Sequence, residues 1–185
     1  MQESEMSQTK RAAILTAQMY EDIELWYPYY RLKEAGVEVT RVGSKAGQEY
    51  PSKHGYPAKA DASPGDVSAS DFDALVIPGG FGPDFMRRDP AMVDFVIECV
   101  EEGLTVAAIC HGAWMLCSAD ALRGRKATSW SSIRDDVQNA GAQWVDEEVV
   151  QDGKIITSRC PDDLPAFCRT LLEAMGLAQA KREAA

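Results

Sequence analysis

The chain has no apolar run of membrane-spanning length and no long block of basic residues. No two of its five cysteines form a C-x-x-C pair, and it has only two histidines, His54 and His111. Each shortage excludes something. Without a long apolar run, no membrane partner is expected. A formal net charge of −10 repels phosphate backbones, so nucleic acid is not an expected partner. The one basic cluster, Arg123-Gly124-Arg125-Lys126, reads as a solvated turn or strand start. Five cysteines are an odd number, and the polar stretch Met1 to Lys10 lacks the apolar segment of an export signal. Reduced thiols and a cytoplasmic location are therefore expected, rather than a disulfide framework. Clustered Cys/His spacing is missing too, so neither a metal nor another cofactor is expected.

The composition is that of a globular chain, 45% apolar and 26% charged over 185 residues. That length suits a single domain, placed at residues 11–177, with loose tails at 1–10 and 178–185. Ala12 to Ala17, Ala74 to Ile77 and Leu104 to Ile109 are short apolar runs without alternation, as expected of strands buried on both faces. Val37 to Val42 alternates as another strand. Helices are predicted over Asp22 to Ala35 (kinked or restarted at Pro28), Pro90 to Glu102, 111 to about 121, Ile133 to Ala140 and Asp162 to Met175. A small hairpin is predicted around His54 to Lys59, a strand from Lys126 to Trp130, and strands either side of Asp152-Gly153. Strand and helix alternate, which implies an α/β fold with a doubly wound, mostly parallel sheet.

In such sheets ligands bind beyond the carboxyl ends of the strands. Glu21 follows the first strand, Gly79 and Gly80 follow the third, and Cys110 follows the fourth directly. Ala108-Ile109-Cys110-His111-Gly112 has the layout of a nucleophile elbow, with small residues two positions either side of the nucleophile. A helix starting at Cys110 would favour its thiolate. The N–H groups of His111 and Gly80 would serve as oxyanion donors. Taken alone, the pentapeptide also fits a buried core thiol. Glu21 alone also fits a carboxylate at a helix start, worth about 0.3–1 kcal/mol. Were it aimed at Cys110, burial would raise its pKa and it could share a proton with the sulfur. His111 assists the thiol or only packs, since neighbouring side chains at a sharp turn diverge. Trp130 walls the pocket or fills the core. Cys117 is a resolving thiol or, better, a core residue, and His54 is read as structural. Gly79-Gly80-Phe81-Gly82 lacks the Lys-Ser/Thr of a phosphate loop and reads as a tight turn.

The chain resembles the ThiJ/PfpI superfamily, most closely its PfpI-type intracellular protease branch; the superfamily also includes the parkinsonism-linked protein deglycase. The likeness runs from about Ala12 to Leu172. It is carried by Tyr20-Glu21-Asp22-Ile23-Glu24-Leu25 with Tyr27-Pro28, then Lys53-His54-Gly55-Tyr56, Phe72 to Gly80 and Ala108 to Gly112. Leu122 to Arg125, Asn139 to Ala142 with Trp144 to Asp146, and Ser158-Arg159 with Pro161 to Leu164 complete it. The resemblance implies a flavodoxin-like three-layer sandwich. Cys110 would be the nucleophile, Glu21 its acidic partner, and Gly80 and His111 the oxyanion donors. It also implies a homo-oligomer, at least a dimer. In protease-like members a glutamate from a neighbouring subunit orients the histidine, and the matching residue here is Asp84. Trp130 stands where some members carry a tyrosine. Both departures weaken a peptidase reading and leave the cysteine–glutamate pair untouched.

Two functions fit. In the first, a cysteine-dependent enzyme uses the Cys110 thiolate against a carbonyl of a peptide, a 2-oxoaldehyde or a glycated adduct. In the second, a stress sensor or chaperone has Cys110 oxidised to sulfenic or sulfinic acid, stabilised by Glu21. An amidotransferase would need a later histidine, and none follows His111.

Overall fold

The computed structural model describes residues 9–177, so most of both expected tails lies outside the described residues. Lys10, in the segment expected to be loose, is fastened to Asp73 by an ion pair of 2.7 Å.

Strands β1 (Arg11–Leu15) and β2 (Glu38–Val42) flank helix α1 (Asp22–Glu34). A hairpin of β3 (Glu49–Pro51) and β4 (Pro57–Lys59) follows, with His54 in its turn. Then come β5 (Ala74–Ile77), α2 (Gly82–Met86), α3 (Pro90–Glu101), β6 (Thr105–Ile109) and α4 (Ala113–Ser118). The chain continues through β7 (Lys126–Ala127), α5 (Arg134–Asn139), β8 (Gln143–Trp144), β9 (Val149–Asp152), β10 (Ile155–Ser158) and α6 (Leu164–Ala174). The main sheet runs β2-β1-β5-β6-β10-β9, parallel except for the edge strand β9. Its five parallel strands follow the flavodoxin-like order, with the chain reversing direction between β1 and β5.

Strand periodicity sorts the core into two layers. Ala13, Leu15, Leu75, Ile77, Val106 and Ala108 face one side, packed with Met92, Phe95 and Val96 of α3 and Met115 and Leu116 of α4. Ala12, Ile14, Ala74, Val76, Ala107 and Ile109 face the other, against Leu25 and Leu32 of α1 and Phe167, Leu171 and Leu172 of α6. Each strand is thus buried on both faces, which is why its sequence shows no alternation. The three-layer sandwich read from the sequence is the fold observed.

Three elements depart from the sequence reading. Helix α1 runs as one element through Pro28, which is buried on its inner face. The helix expected over 111–121 is a 3₁₀ turn, Cys110–Gly112, followed by only six residues of α4. The strand expected to reach Trp130 stops at Ala127 and pairs with β8 outside the main sheet. The basic cluster beside it is neutralised: Arg123, Arg125 and Lys126 pair with Asp120, Asp152 and Glu147.

Candidate active site

The carboxyl ends of β1, β5 and β6 are laced together by backbone hydrogen bonds. The Glu21 N–H donates to the Gly79 carbonyl at 3.1 Å, and the Phe81 N–H to the Met19 carbonyl at 2.8 Å. Segments that are distant in sequence therefore meet at one sheet edge, where Cys110 sits.

Cys110 has a φ of +61°, a conformation that side chains with a β-carbon seldom adopt. The strain is held in place by close packing. A β-carbon on Gly112 would strike the Ile77 carbonyl oxygen. One on Gly79 would lie 2.6 Å from Cys110 Cβ and 2.5 Å from a carboxylate oxygen of Glu24. Only glycine lets the β5 loop pass this close. Cys110 is 8% exposed. The N–H groups of Gly80 and His111, expected as oxyanion donors, favour the thiolate of Cys110.

The carboxyl packed beside Cys110 belongs to Glu24, not to Glu21: a β-carbon on Gly79 would touch both Glu24 Oε2 and Cys110 Cβ, and the charge of Glu24 bears on the thiol. Glu21 precedes α1, and its carboxylate, itself buried, forms an ion pair with Lys53. Glu24 lies one turn further on and is fully buried; its Oε2 accepts the Gly79 N–H at 2.8 Å. Its Oε1 has no hydrogen-bond partner. The expected acidic partner is therefore displaced by one helical turn. The sequence does carry a signal for this, because Glu24, Pro28 and Leu32 recur at four-residue intervals on the buried face of α1. Lys53, which sequence reasoning left without a role, brings its charge to bear on Cys110, Glu24 and His111.

Burial dominates the electrostatics. It pushes Glu24 up to about 7, opposed by the Gly79 N–H and reinforced by the charge of Glu21. Burial and the Glu24 charge push Cys110 up to about 12, against the pull of the Gly80 and His111 N–H groups. The expectation that a helix start favours the thiolate is thus outweighed, since α4 is short and the sulfur is desolvated. The two groups act as a coupled pair. A proton on Glu24 removes the charge that penalises the thiolate and leaves a donor facing it.

His111 does face the nucleophile. Its Nδ1 lies 3.2 Å from Cys110 Sγ, and its Nε2 lies 3.2 Å from Ser132 Oγ. Burial, then the charge of Lys53, lowers its pKa, which leaves the imidazole neutral near pH 7, with a lone pair free to accept a proton. Trp130 follows β7 and fixes its N–H 3.4 Å from the Cys110 carbonyl. Its half-exposed ring lines a cavity of about 250 Å³ with Trp144, Arg159 and Cys160. Asp84, in α2, pairs with Arg88 of its own chain. Cys117 is half-buried against the apolar layer of α3 and α4, the core placement preferred from sequence. His54 is held by Asp22 at 2.7 Å, and Asp22 also accepts from Ser52 at 2.6 Å. Among the described residues, Glu21, Asp22 and His54 have ligand atoms within 4.8 Å of one another. Lys53 already neutralises Glu21 there, and hydrogen bonds engage both carboxylate oxygens of Asp22. No described helix is long and apolar enough to cross a membrane.

A strained cysteine after a central parallel strand, paired with a buried glutamate, defines an α/β protein with a thiol–carboxyl elbow. Residues 10–174 match the model of the DJ-1/PfpI family, and the chain belongs to that family. It is 45% identical over 161 residues to "Deglycase PfpI" of Pyrococcus furiosus, covering 87% of this chain and 96% of that one. It is 47% identical over 166 residues to "General stress protein 18" of Bacillus subtilis, covering 88% and 96%. Among solved structures, a two-domain protein from Anabaena variabilis contains DJ-1/ThiJ/PfpI-like and ferritin-like domains. It superposes with a TM-score of 0.90 at 44% identity, covering 96% of this chain and 52% of that longer one.

Proposed function

We propose that this chain is a cysteine-dependent enzyme that attacks a small electrophilic carbonyl, a 2-oxoaldehyde or its adduct. The observation that carries the reading is the buried Glu24 carboxyl packed beside a thiol held at positive φ. Such a pair can pass one proton back and forth while the sulfur forms and breaks a bond. In the first step the Cys110 proton moves to His111 Nδ1 or to Glu24, and the sulfur lone pair forms the C–S bond. The carbonyl π electrons move onto oxygen, which accepts N–H donors at the elbow and then takes the proton, giving a thiohemiacetal. A cysteine only 8% exposed admits a small aldehyde more readily than a folded peptide chain, so this substrate class is preferred to peptide bonds. The name of the P. furiosus relative, a deglycase, supports the same class. Gly79, Gly80 and Trp130 shape the approach. A cytoplasmic location and a homodimer, in which Asp84 reaches the neighbouring subunit's site, belong to the same proposal. Turnover of methylglyoxal and of a peptide by wild type and Cys110→Ala tests it. Loss of methylglyoxal turnover in the variant is expected, and equal rates in both proteins would end the enzymatic reading.

A second reading rests on the crowding of the Glu24 carboxyl and the His111 N–H beside Cys110 at Gly79. That cradle suits an oxidised sulfur as well as a thiolate. Hydrogen peroxide would transfer one oxygen to the thiolate and leave as hydroxide, giving a sulfenic acid; a second equivalent would give the sulfinic acid. The name of the B. subtilis relative, a general stress protein, supports this class. Site-resolved mass spectrometry after mild peroxide decides it. Cys110 should gain oxygen first, and earlier oxidation of another cysteine would overturn it.

A further inference from the structure

We propose that Ser132 is the positioning residue for His111, fixing the imidazole as the in-chain base of the Cys110 thiol; this rests on the reading of Cys110 as nucleophile. The two ring nitrogens have separate partners, Cys110 Sγ at Nδ1 and Ser132 Oγ at Nε2, each at 3.2 Å. A neutral imidazole carries one N–H. When the Ser132 oxygen accepts from Nε2–H, Nδ1 keeps its lone pair towards the thiol. After proton transfer both nitrogens carry hydrogen, and each still faces an acceptor: the sulfur anion at one side and the serine oxygen at the other. A hydroxyl serves both states without moving.

Ser132 is itself held in place. The 3₁₀ turn Ser131–Ile133 hangs from the Trp130 N–H bond to the Cys110 carbonyl, at 3.4 Å. It is closed by the Ile133 N–H bond to the Trp130 carbonyl, at 3.1 Å, and anchored by the buried Ile133 side chain. The nucleophile's own backbone therefore carries the turn that orients its base. Opposite, the Trp114 ring meets the imidazole edge-on, with centroids 5.1 Å apart. Its Nε1–H is fixed on Asp136 at 2.9 Å. The charged and titratable groups bearing on the imidazole are Lys53 and the Cys110–Glu24 pair, with Asp136 and Arg87 reaching it only through Trp114. Ser132 thus occupies Nε2, the nitrogen turned away from the thiol.

The test is the rate of Cys110 alkylation by iodoacetamide at pH 7, resolved by peptide mass mapping, in wild type, Ser132→Ala and Ser132→Thr. Alkylation reads the thiolate directly and needs no substrate. Half-buried Cys160 serves as an internal control. Loss of one hydrogen bond should slow Cys110 in Ser132→Ala by about two- to tenfold, while threonine restores the rate to within about twofold and Cys160 is unaffected. A wild-type rate in the alanine variant, or equal losses in alanine and threonine, overturns the role of Ser132 alone. If wild-type Cys110 reacts no faster than Cys160, the nucleophile reading fails, and the serine's role with it.

Discussion

Replacing Glu24 with glutamine should make the protein less active and, above neutral pH, more stable. The native pKa of this carboxyl stands near 7, against an ordinary value of 4.5. The folded state therefore binds its proton more tightly than the unfolded chain does. The stability this group contributes is complete below about pH 4.5 and falls as pH rises towards 7 and beyond, where a buried charge must be tolerated. The loss amounts to about 3 kcal/mol. Glutamine keeps an oxygen for the Gly79 N–H and carries no charge at any pH. At pH 8 the variant should melt about 3–10 °C above wild type, and at pH 4.5 the two should nearly coincide. Taking the difference between the proteins removes the contribution of every other acid. Carbonyl turnover should meanwhile fall by about 10²–10⁴-fold, the usual worth of a positioned acid–base group. Calorimetric melts of both proteins at the two pH values provide the measurement. A melting difference that is the same at pH 4.5 and pH 8 would refute the raised pKa of Glu24 and the proton-sharing built on it.

Other outcomes follow from the same geometry. Gly79→Ala places a β-carbon against Glu24, Cys110 and the His111 N–H, so it should cost about 1–3 kcal/mol in urea unfolding and depress turnover with it. Lys53→Met removes a cation that lowers both His111 and Glu24 and frees the Glu21 charge that raises Glu24. The inflection of the pH–rate profile near 7 should therefore move to higher pH, and no movement would show that Lys53 does not act on the pair. Cys117→Ser should leave peroxide sensitivity and turnover at wild-type levels, because Cys117 packs on the core and its thiol is pushed up to about 11 by burial.

The fold was legible because parallel strands buried on both faces have to be apolar without alternation. Ala12 to Leu15, Ala74 to Ile77 and Thr105 to Ile109 meet that demand in their composition alone. The short pieces were harder to read. Residues 111–121 look helical, yet the positive φ of Cys110 forces a 3₁₀ turn first and leaves α4 only six residues. Lys126 to Trp130 looks like one strand, but pairing ends at Ala127, where the chain turns to carry Trp130 back over Cys110.

Glu21 and Glu24 show where reading along the chain stops being enough. Both are acidic and both stand at the start of α1, Glu21 just before it and Glu24 in its first turn, so helix-end electrostatics favours each about equally. The loop from β1 brings Glu21 to the sheet edge, as expected from sequence, where its N–H bonds the Gly79 carbonyl and its carboxylate pairs with Lys53. Glu21 stands before the helix on extended backbone, so its side chain does not share the helical face that carries Glu24. That face is fixed by the buried Leu25, Pro28 and Leu32, which take Glu24 inward and leave Glu21 to Lys53. Ser132 lay further beyond reach, since nothing local ties it to a histidine 21 positions earlier. It meets His111 because the turn that bears it is hydrogen-bonded to Cys110. The strained cysteine thus organises its own surroundings: its side chain meets Glu24 and His111, and its carbonyl holds the loop that steadies the histidine.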